Sequence, residues 1–155
     1  MGAVESLVDL LVPAFREKLQ STLIHLVGQG FSPRVHETLR SRERAQALVL
    51  AGKSRARPGL SMHCFGVAAD VICRDHQWDC RRHFCRFFQT LGDCAEDNGL
   101  TWGGNWDRDR KPGEKGEDDL PHVQLPELRH QDLIRRCPAG GLDRLCRELL
   151  QGLHR

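Results

Sequence analysis

Apolar residues at intervals of three and four mark two long helices in the first two thirds of the chain. The first repeat predicts a helix from Ala14 to about residue 29, after a short turn that Pro13 separates from it. A second repeat predicts a helix over Asp79–Asn98, with an apolar stripe made of Phe84, Phe87, Phe88, Leu91, Cys94 and Ala95. Two shorter helices are predicted, around residues 45–49 and over Leu142–Leu153.

Short apolar runs between these helices predict β-strands. Phe65–Cys73 is apolar at both parities, as in a strand buried on both faces, and Asp70 is its only charged residue. Weaker strand patterns cover Phe31–Thr38, Leu100–Trp102 and Val123–Leu125. The order of elements predicts an α+β fold, with a small antiparallel sheet backed by helices.

Length and composition predict one globular domain. The chain has 155 residues, of which 39% are hydrophobic and 28% charged. We expect a single catalytic domain over residues 1–155, with a core of about 10–128 and a helical extension of about 129–155. We expect a monomer.

Charge and hydropathy narrow the possible partners. The net charge of +2 is too small to indicate nucleic-acid binding. No stretch approaches the ~20 apolar residues that span a membrane, and the N-terminus does not resemble a secretory signal. We therefore expect synthesis in the cytoplasm, with no nucleic-acid partner and no membrane insertion.

The seven cysteines form an odd set with irregular spacing and no Cys-x-x-Cys pair. This favours reduced thiols over a disulfide framework, and leaves a cysteine metal site as the weaker alternative. Cys64 adjoins a candidate ligand, but the alternation of the predicted strand would turn it away from the metal.

Two short segments far apart carry the residue types of a metal site. Residues 61–70 read Ser-Met-His-Cys-Phe-Gly-Val-Ala-Ala-Asp, and residues 119–122 read Asp-Leu-Pro-His. Two imidazoles and one carboxylate would leave a fourth zinc position for water, as in catalytic rather than structural zinc sites. Asp119 adds a carboxylate that could take a proton from such a water. The candidate ligands are His63, Asp70 and His122.

The motifs Ser-x-His-x-x-Gly-x-Ala-x-Asp and Asp-x-Pro-His resemble those of the zinc peptidases that act on bacterial cell-wall peptides. This VanY-like family includes D-alanyl-D-alanine carboxypeptidases and L-alanyl-D-glutamate endopeptidases. The run Trp-Gly-Gly-Asn-Trp at 102–106 is similar to the phage endolysin branch. The resemblance covers roughly residues 10–128. It implies a hedgehog/D-Ala-D-Ala-peptidase-like fold, one Zn2+ per chain on the three candidate ligands, and Asp119 as general base.

The resemblance also assigns roles outside the metal-ligand set. Arg40 matches the family arginine that precedes the first motif, and would bind a substrate carboxylate or stabilise an oxyanion. The alternatives are an exposed arginine at a helix start, or the same role for Arg42 or Arg44. Ser61 would orient substrate or cap a turn.

The resulting functional hypothesis is a peptidoglycan-degrading endolysin that hydrolyses the L-alanyl-D-glutamate bond of the stem peptide. It would stay in the cytoplasm of the host bacterium until release and then act on the wall in the periplasm. A D-alanyl-D-alanine carboxypeptidase is the enzymatic alternative. A non-catalytic, hedgehog-like zinc binding module is the alternative of another class.

The loop at residues 107–118 and the two tryptophans Trp102 and Trp106 each allow two interpretations. The charged run 107–118 is predicted to be a lid or solvated loop, with calcium binding as the weaker alternative because Lys111 and Pro112 break the loop pattern. Trp102 and Trp106 are expected in the core rather than in a cleft wall.

Overall fold

The computed structural model describes residues 4, 6–54, 61–81, 86–106 and 119–126. The predicted loop at 107–118 and the predicted C-terminal helix lie outside these residues. The described helices are α1 (Pro13–Gly28), α2 (Arg42–Leu50) and α3 (Phe87–Asp97). The described strands are β1 (Pro33–Glu37), β2 (Ala68–Cys73), β3 (Thr101–Trp102) and β4 (His122–Gln124).

The four strands form one antiparallel sheet in the order β1-β2-β4-β3. The late strand β4 therefore lies between two strands that precede it in sequence. β2, at the centre, is buried at all of its positions, as its unbroken apolar pattern predicts. The predicted α+β class with a small antiparallel sheet is confirmed.

A β-bulge shifts the register between β1 and β2. Val35 lies opposite Val71, but the next pair joins Glu37 to Asp70, so His36 is an extra residue in β1. On its other side, Asp70 lies opposite His122 of β4. Glu37, Asp70 and His122 thus form a transverse row across three neighbouring strands.

The core lies between the sheet and the two longer helices. α1 packs against α3, and α3 packs against β2 and β3. Large side chains with no solvent exposure come from α1, α3 and β2; those of the two helices include Phe15, Leu19, Leu26, Phe87 and Leu91. No helix among the described residues is long and apolar enough to cross a membrane.

The second long helix starts later than the apolar stripe predicts. α3 begins at Phe87, and Trp78–Arg81 forms a separate 3-10 helix. Arg86 has a φ of 56°, a left-handed conformation that an α-helix cannot contain, so the predicted start at Asp79 is wrong. From Phe87 onward the stripe packs in the core as predicted.

The strand predicted over Phe65–Cys73 also starts later, at Ala68. Met62–Phe65 is a 3-10 helix, and Gly66 then turns the chain into β2 with a φ of 67°. A residue with a side chain would be strained in this conformation. Cys64 is buried in the 3-10 helix, so strand alternation is the wrong reason for its orientation.

The contact between α3 and β3 yields a stability prediction. A Cβ on Gly92 would lie 2.2 Å from Cε3 of Trp102. The Trp102 ring is buried, and its Nε1 donates to the carbonyl oxygen of Leu120 at 2.7 Å. We expect Gly92→Ala to lower the free energy of unfolding by about 1–3 kcal/mol in urea titrations, although Ala is the better helix former.

Gly28→Ala, at the end of α1, is the matched control. Among the described residues, a Cβ built on Gly28 would meet nothing within 4 Å beyond its chain neighbours and the backbone of its own helix. We expect unchanged stability or a gain of up to about 1 kcal/mol. A Gly92→Ala variant as stable as wild type would contradict the tight packing of Trp102.

Candidate metal centre

The structure brings the three predicted ligand residues to one point. Nε2 of His63 lies 3.2 Å from Oδ1 of Asp70 and 3.2 Å from Nδ1 of His122. Nδ1 of His122 lies 3.5 Å from the same Asp70 oxygen. All three residues are buried, and their ligand atoms lie within 4.8 Å of one another. This spacing allows one metal ion to contact all three.

Sheet register and one turn create this convergence. Asp70 and His122 are directly opposite on β2 and β4, and directly opposite residues project from the same face of a sheet. His63 comes from the 3-10 helix Met62–Phe65, and the turn at Gly66 brings it back beside β2. The spacing within the first motif is therefore that of a turn followed by a strand.

Hydrogen bonds to the far side of each ring orient the two histidines. Nδ1 of His63 lies 2.9 Å from the carbonyl oxygen of Thr38, which can only accept a hydrogen bond. Nε2 of His122 lies 2.9 Å from Oε1 of Gln124. With a proton on each of these nitrogens, His63 presents the lone pair of Nε2 and His122 that of Nδ1. Metal-ligating histidines usually have such a partner.

The electrostatics favour positive charge at the point of convergence. Burial disfavours the Asp70 carboxylate, but His63 and His122 more than offset this and hold the pKa of Asp70 well below its ordinary value. Burial likewise disfavours protonation of His122, yet Asp70 raises the pKa of that ring above its ordinary value. A divalent cation would satisfy the same preference for positive charge.

The donor chemistry fits zinc. Two imidazole nitrogens and one carboxylate oxygen are a ligand set of catalytic zinc sites. Within the described residues, these three are the one cluster of metal-ligating side chains. Three cysteines outside it, Cys64, Cys73 and Cys94, are buried and form no disulfide bond.

Asp119 lies at the edge of the same site. Its Oδ2 is 4.0 Å from Nδ1 of His122, and its side chain is 57% exposed. Partial burial raises the pKa of Asp119, an effect that His122 opposes and the charge of Asp70 reinforces. The structure therefore places the predicted general base beside the ligand set but open to solvent.

The Trp-Gly-Gly-Asn-Trp run forms one side of the site. A Cβ on Gly103 would lie 2.3 Å from the Asp119 carbonyl oxygen and 3.0 Å from Cβ of His122, so only glycine fits there. Trp102 is buried as predicted. Trp106 is 40% exposed, and its ring centroid lies 5.5 Å from that of His122. The core prediction for Trp106 is therefore wrong; its partly exposed ring lies beside His122.

Arg40 is buried beside the site, which excludes the alternative of an exposed arginine at a helix start. Its side chain donates to both oxygens of Glu37, at 3.2 and 2.7 Å, and to Oγ of Ser61 at 3.3 Å. Its Nη2 also lies 3.8 Å from Oδ2 of Asp70. Substrate binding by Arg40 and Ser61 stays a prediction.

The other candidates for these two roles have different surroundings. Arg42 is exposed, while Arg44 is buried and donates from Nε to Glu37 at 3.0 Å. Ser61 precedes the 3-10 helix Met62–Phe65 but makes no capping hydrogen bond with its side chain. Its hydroxyl oxygen instead accepts a hydrogen bond from Arg40.

Sequence reasoning missed Glu37 and Gln124. Gln124 is two residues after His122 in a strand, so it lies on the same face, and this period of two was a usable signal. Glu37 precedes Arg40 by three residues and Arg44 by seven, but its position opposite Asp70 depends on the bulge at His36. The hydrophobic pattern of residues 31–38 does not predict that bulge.

Comparison with known proteins supports the same family as the motifs. Residues 54–125 match the model of a family described as D-alanyl-D-alanine carboxypeptidase. Somewhat less than half of the chain is therefore similar to this peptidase family. The matched segment contains all three candidate ligands and Asp119. No curated protein matches the sequence significantly.

Solved structures share the fold. The L-Ala D-Glu endopeptidase ChiX of Serratia marcescens is 24% identical, with a TM-score of 0.56, over 76% of this chain and 82% of that chain. The LD-carboxypeptidase LdcB is 15% identical, with a TM-score of 0.56, over 93% and 68% of the two chains. The vancomycin-resistance D,D-pentapeptidase VanY, solved with Zn(II), is 19% identical, with a TM-score of 0.54, over 74% and 72%. These likenesses establish the VanY-like fold.

The ligand assignment predicts the metal content of variants. We expect the purified protein to contain about one zinc ion per chain, because the site offers one set of three ligands. His63→Ala and His122→Ala should both lose the metal in elemental analysis of dialysed protein. His25→Ala, at an exposed position of α1, should keep it. Full zinc occupancy in either ligand variant would refute the assignment.

Proposed function

We propose that this protein is a zinc endopeptidase that hydrolyses the L-alanyl-D-glutamate bond of peptidoglycan stem peptides. The observation that carries the proposal is a His-Asp-His cluster with a second, half-exposed carboxylate 4.0 Å from one of its histidines. His63, Asp70 and His122 would hold the metal. Zinc, when bound, supplies Lewis-acid polarisation of a carbonyl group and lowers the pKa of water.

Asp119 is proposed as the general base and acid. Hydrolysis adds one water across the peptide bond, so a proton must leave the attacking water and another must reach the departing amine. The raised pKa of the Asp119 carboxyl suits a group that accepts the first proton and delivers the second. Its exposure keeps it accessible to a peptide bound beside Trp106.

The surroundings of Arg40 favour an endopeptidase over a D-alanyl-D-alanine carboxypeptidase. A carboxypeptidase must recognise a terminal carboxylate, for which a cation near the metal is the ordinary partner. Arg40 lies 3.8 Å from Asp70, but its charge is already matched by Glu37 at 2.7 Å. Because Glu37 neutralises its charge, Arg40 attracts a substrate carboxylate less strongly. The similarity to ChiX supports the same choice.

The carboxypeptidase remains the second candidate because the matched family is described by that activity. A non-catalytic zinc module is less well supported. Such a module needs the ligands but not a titratable carboxylate beside them, and Asp119 is present with its pKa raised.

The biological setting is part of the proposal. The Trp-Gly-Gly-Asn-Trp run and the Asp-Leu-Pro-His segment support an endolysin of the phage type. We place its synthesis in the cytoplasm of a host bacterium and its action on the wall after release.

Digestion of purified muropeptides tests which bond is cleaved. Cleavage after L-alanine should leave a muramyl-L-alanine fragment and release a peptide with D-glutamate at its new N-terminus. Mass spectrometry detects both products. Loss of one alanine from pentapeptide substrates, with the L-alanyl-D-glutamate bond intact, would contradict the endopeptidase and support the carboxypeptidase.

Asp119→Asn separates catalysis from metal binding. The amide cannot accept the proton, so we expect a loss of turnover on the order of a hundred- to ten-thousand-fold. Zinc content should stay at the wild-type level, because Asp119 lies outside the ligand cluster. Turnover is measured on muropeptides and zinc by elemental analysis.

Asp118→Asn is the matched control, since it removes the same charge one residue earlier. It should change turnover only slightly. A collapse of activity in Asp118→Asn, with near-normal activity in Asp119→Asn, would show that the other carboxylate is the base.

A further inference from the structure

We infer that Glu37, acting through Arg40, is a positioning residue for the metal-ligand carboxylate of Asp70. Glu37 lies outside both sequence motifs, and its carboxylate is not one of the clustered ligand groups. Its influence would pass through the guanidinium that lies between the two carboxylates. The inference deepens the proposed function, because it rests on His63, Asp70 and His122 forming a zinc site.

The bulge in β1 is the first observation. Without the bulge, continuation of the register from Val35 and Val71 would bring His36 opposite Asp70. With it, Glu37 takes that position. Bulges re-aim side chains next to functional sites. Here the consequence is a buried carboxylate directly across from another buried carboxylate.

Arg40 is the second observation. Two carboxylates on adjacent strands repel each other unless a cation lies between them. The guanidinium of Arg40 lies between them. Its Nη2 is 2.7 Å from Oε2 of Glu37 and 3.8 Å from Oδ2 of Asp70. Its Nε completes a two-point contact with Glu37 at 3.2 Å. The guanidinium is therefore fixed in plane by Glu37, with one edge toward Asp70.

The division of oxygens on Asp70 is the third observation. Oδ2 faces Arg40, whereas Oδ1 faces both histidines at 3.2 and 3.5 Å. The guanidinium charge 3.8 Å from Oδ2 favours the carboxylate rotation that presents Oδ1 to the metal. Glu37 also matches the charge of Arg40, which would otherwise repel a cation at the site. Both effects predict that loss of the Glu37 charge weakens metal binding.

Zinc affinity of Glu37→Gln tests the inference without reference to activity. Competition with a chromophoric chelator, on protein shown to be folded by circular dichroism, gives the dissociation constant. We expect zinc binding to weaken by about ten- to a hundredfold, the usual range for partners of metal ligands. Glu43→Gln removes a carboxylate from an exposed position of α2 and should bind zinc like wild type. Equal affinity in Glu37→Gln and wild type would overturn the inference.

A double-mutant cycle tests whether the effect passes through Arg40. Arg40→Gln removes the guanidinium that Glu37 holds toward Asp70, although Glu37 still pairs with Arg44. In that background Glu37→Gln should therefore change zinc affinity little. A loss as large as in the wild-type background would mean that Glu37 acts on the metal directly, and would overturn the proposed route.

A third variant covers the case in which Glu37→Gln does not fold. Glu37→Asp keeps the charge but withdraws it by one methylene, so it cannot hold Arg40 at two points in the same place. A threefold or larger loss of zinc affinity in folded Glu37→Asp supports the inference, and wild-type affinity overturns it. Wild-type protein that binds no zinc would instead overturn the proposed function, so the two failures are distinguishable.

Discussion

The pairing of β4 with β2 is the contact on which the rest of the site depends. β4 is the last described strand, yet it lies between β2 and β3. This insertion puts His122 directly across from Asp70, although the two are far apart in sequence. Because β2 is buried throughout, Asp70 cannot shift without disturbing the core. A rigid central strand thus fixes one ligand, and a neighbour hydrogen-bonded to it fixes the second.

Burying several charges around one point requires each of them to have a partner, since an unpaired buried charge is costly. Glu37 is paired with Arg40 and Arg44, and Asp70 with two histidines and the edge of Arg40. Ser61 accepts a further hydrogen bond from Arg40. The polar groups in the centre of the protein therefore form a connected network rather than isolated charges. Such a network restricts the rotamers of its members. A metal site requires ligands held in a fixed geometry, so this restriction serves the site.

The features that the sequence predicted correctly are those fixed by short-range patterns. The apolar period identified α1 and most of α3. The motif residues His63, Asp70 and His122 converge in the structure, and their role as metal ligands stays a prediction. The failures concern backbone features that no period reveals. The left-handed Arg86 delays α3, the turn at Gly66 delays β2, and the bulge at His36 brings Glu37 into the site. Each depends on tertiary packing, so one sequence without its fold could not predict it.

The contrast between Asp70 and Asp119 shows how one site can give two aspartates different electrostatic surroundings. Asp70 is buried and contacted by both histidines, which keep its pKa well below the ordinary value, so it stays ionised as a ligand should. Asp119 is half exposed, and partial burial together with the charge of Asp70 raises its pKa. Its backbone is nevertheless fixed, because its N–H donates to Gly103 and its carbonyl accepts from the His122 N–H. The backbone of Asp119 is thus held in place while its carboxyl group can gain or lose a proton. The proposed role as general base requires both properties.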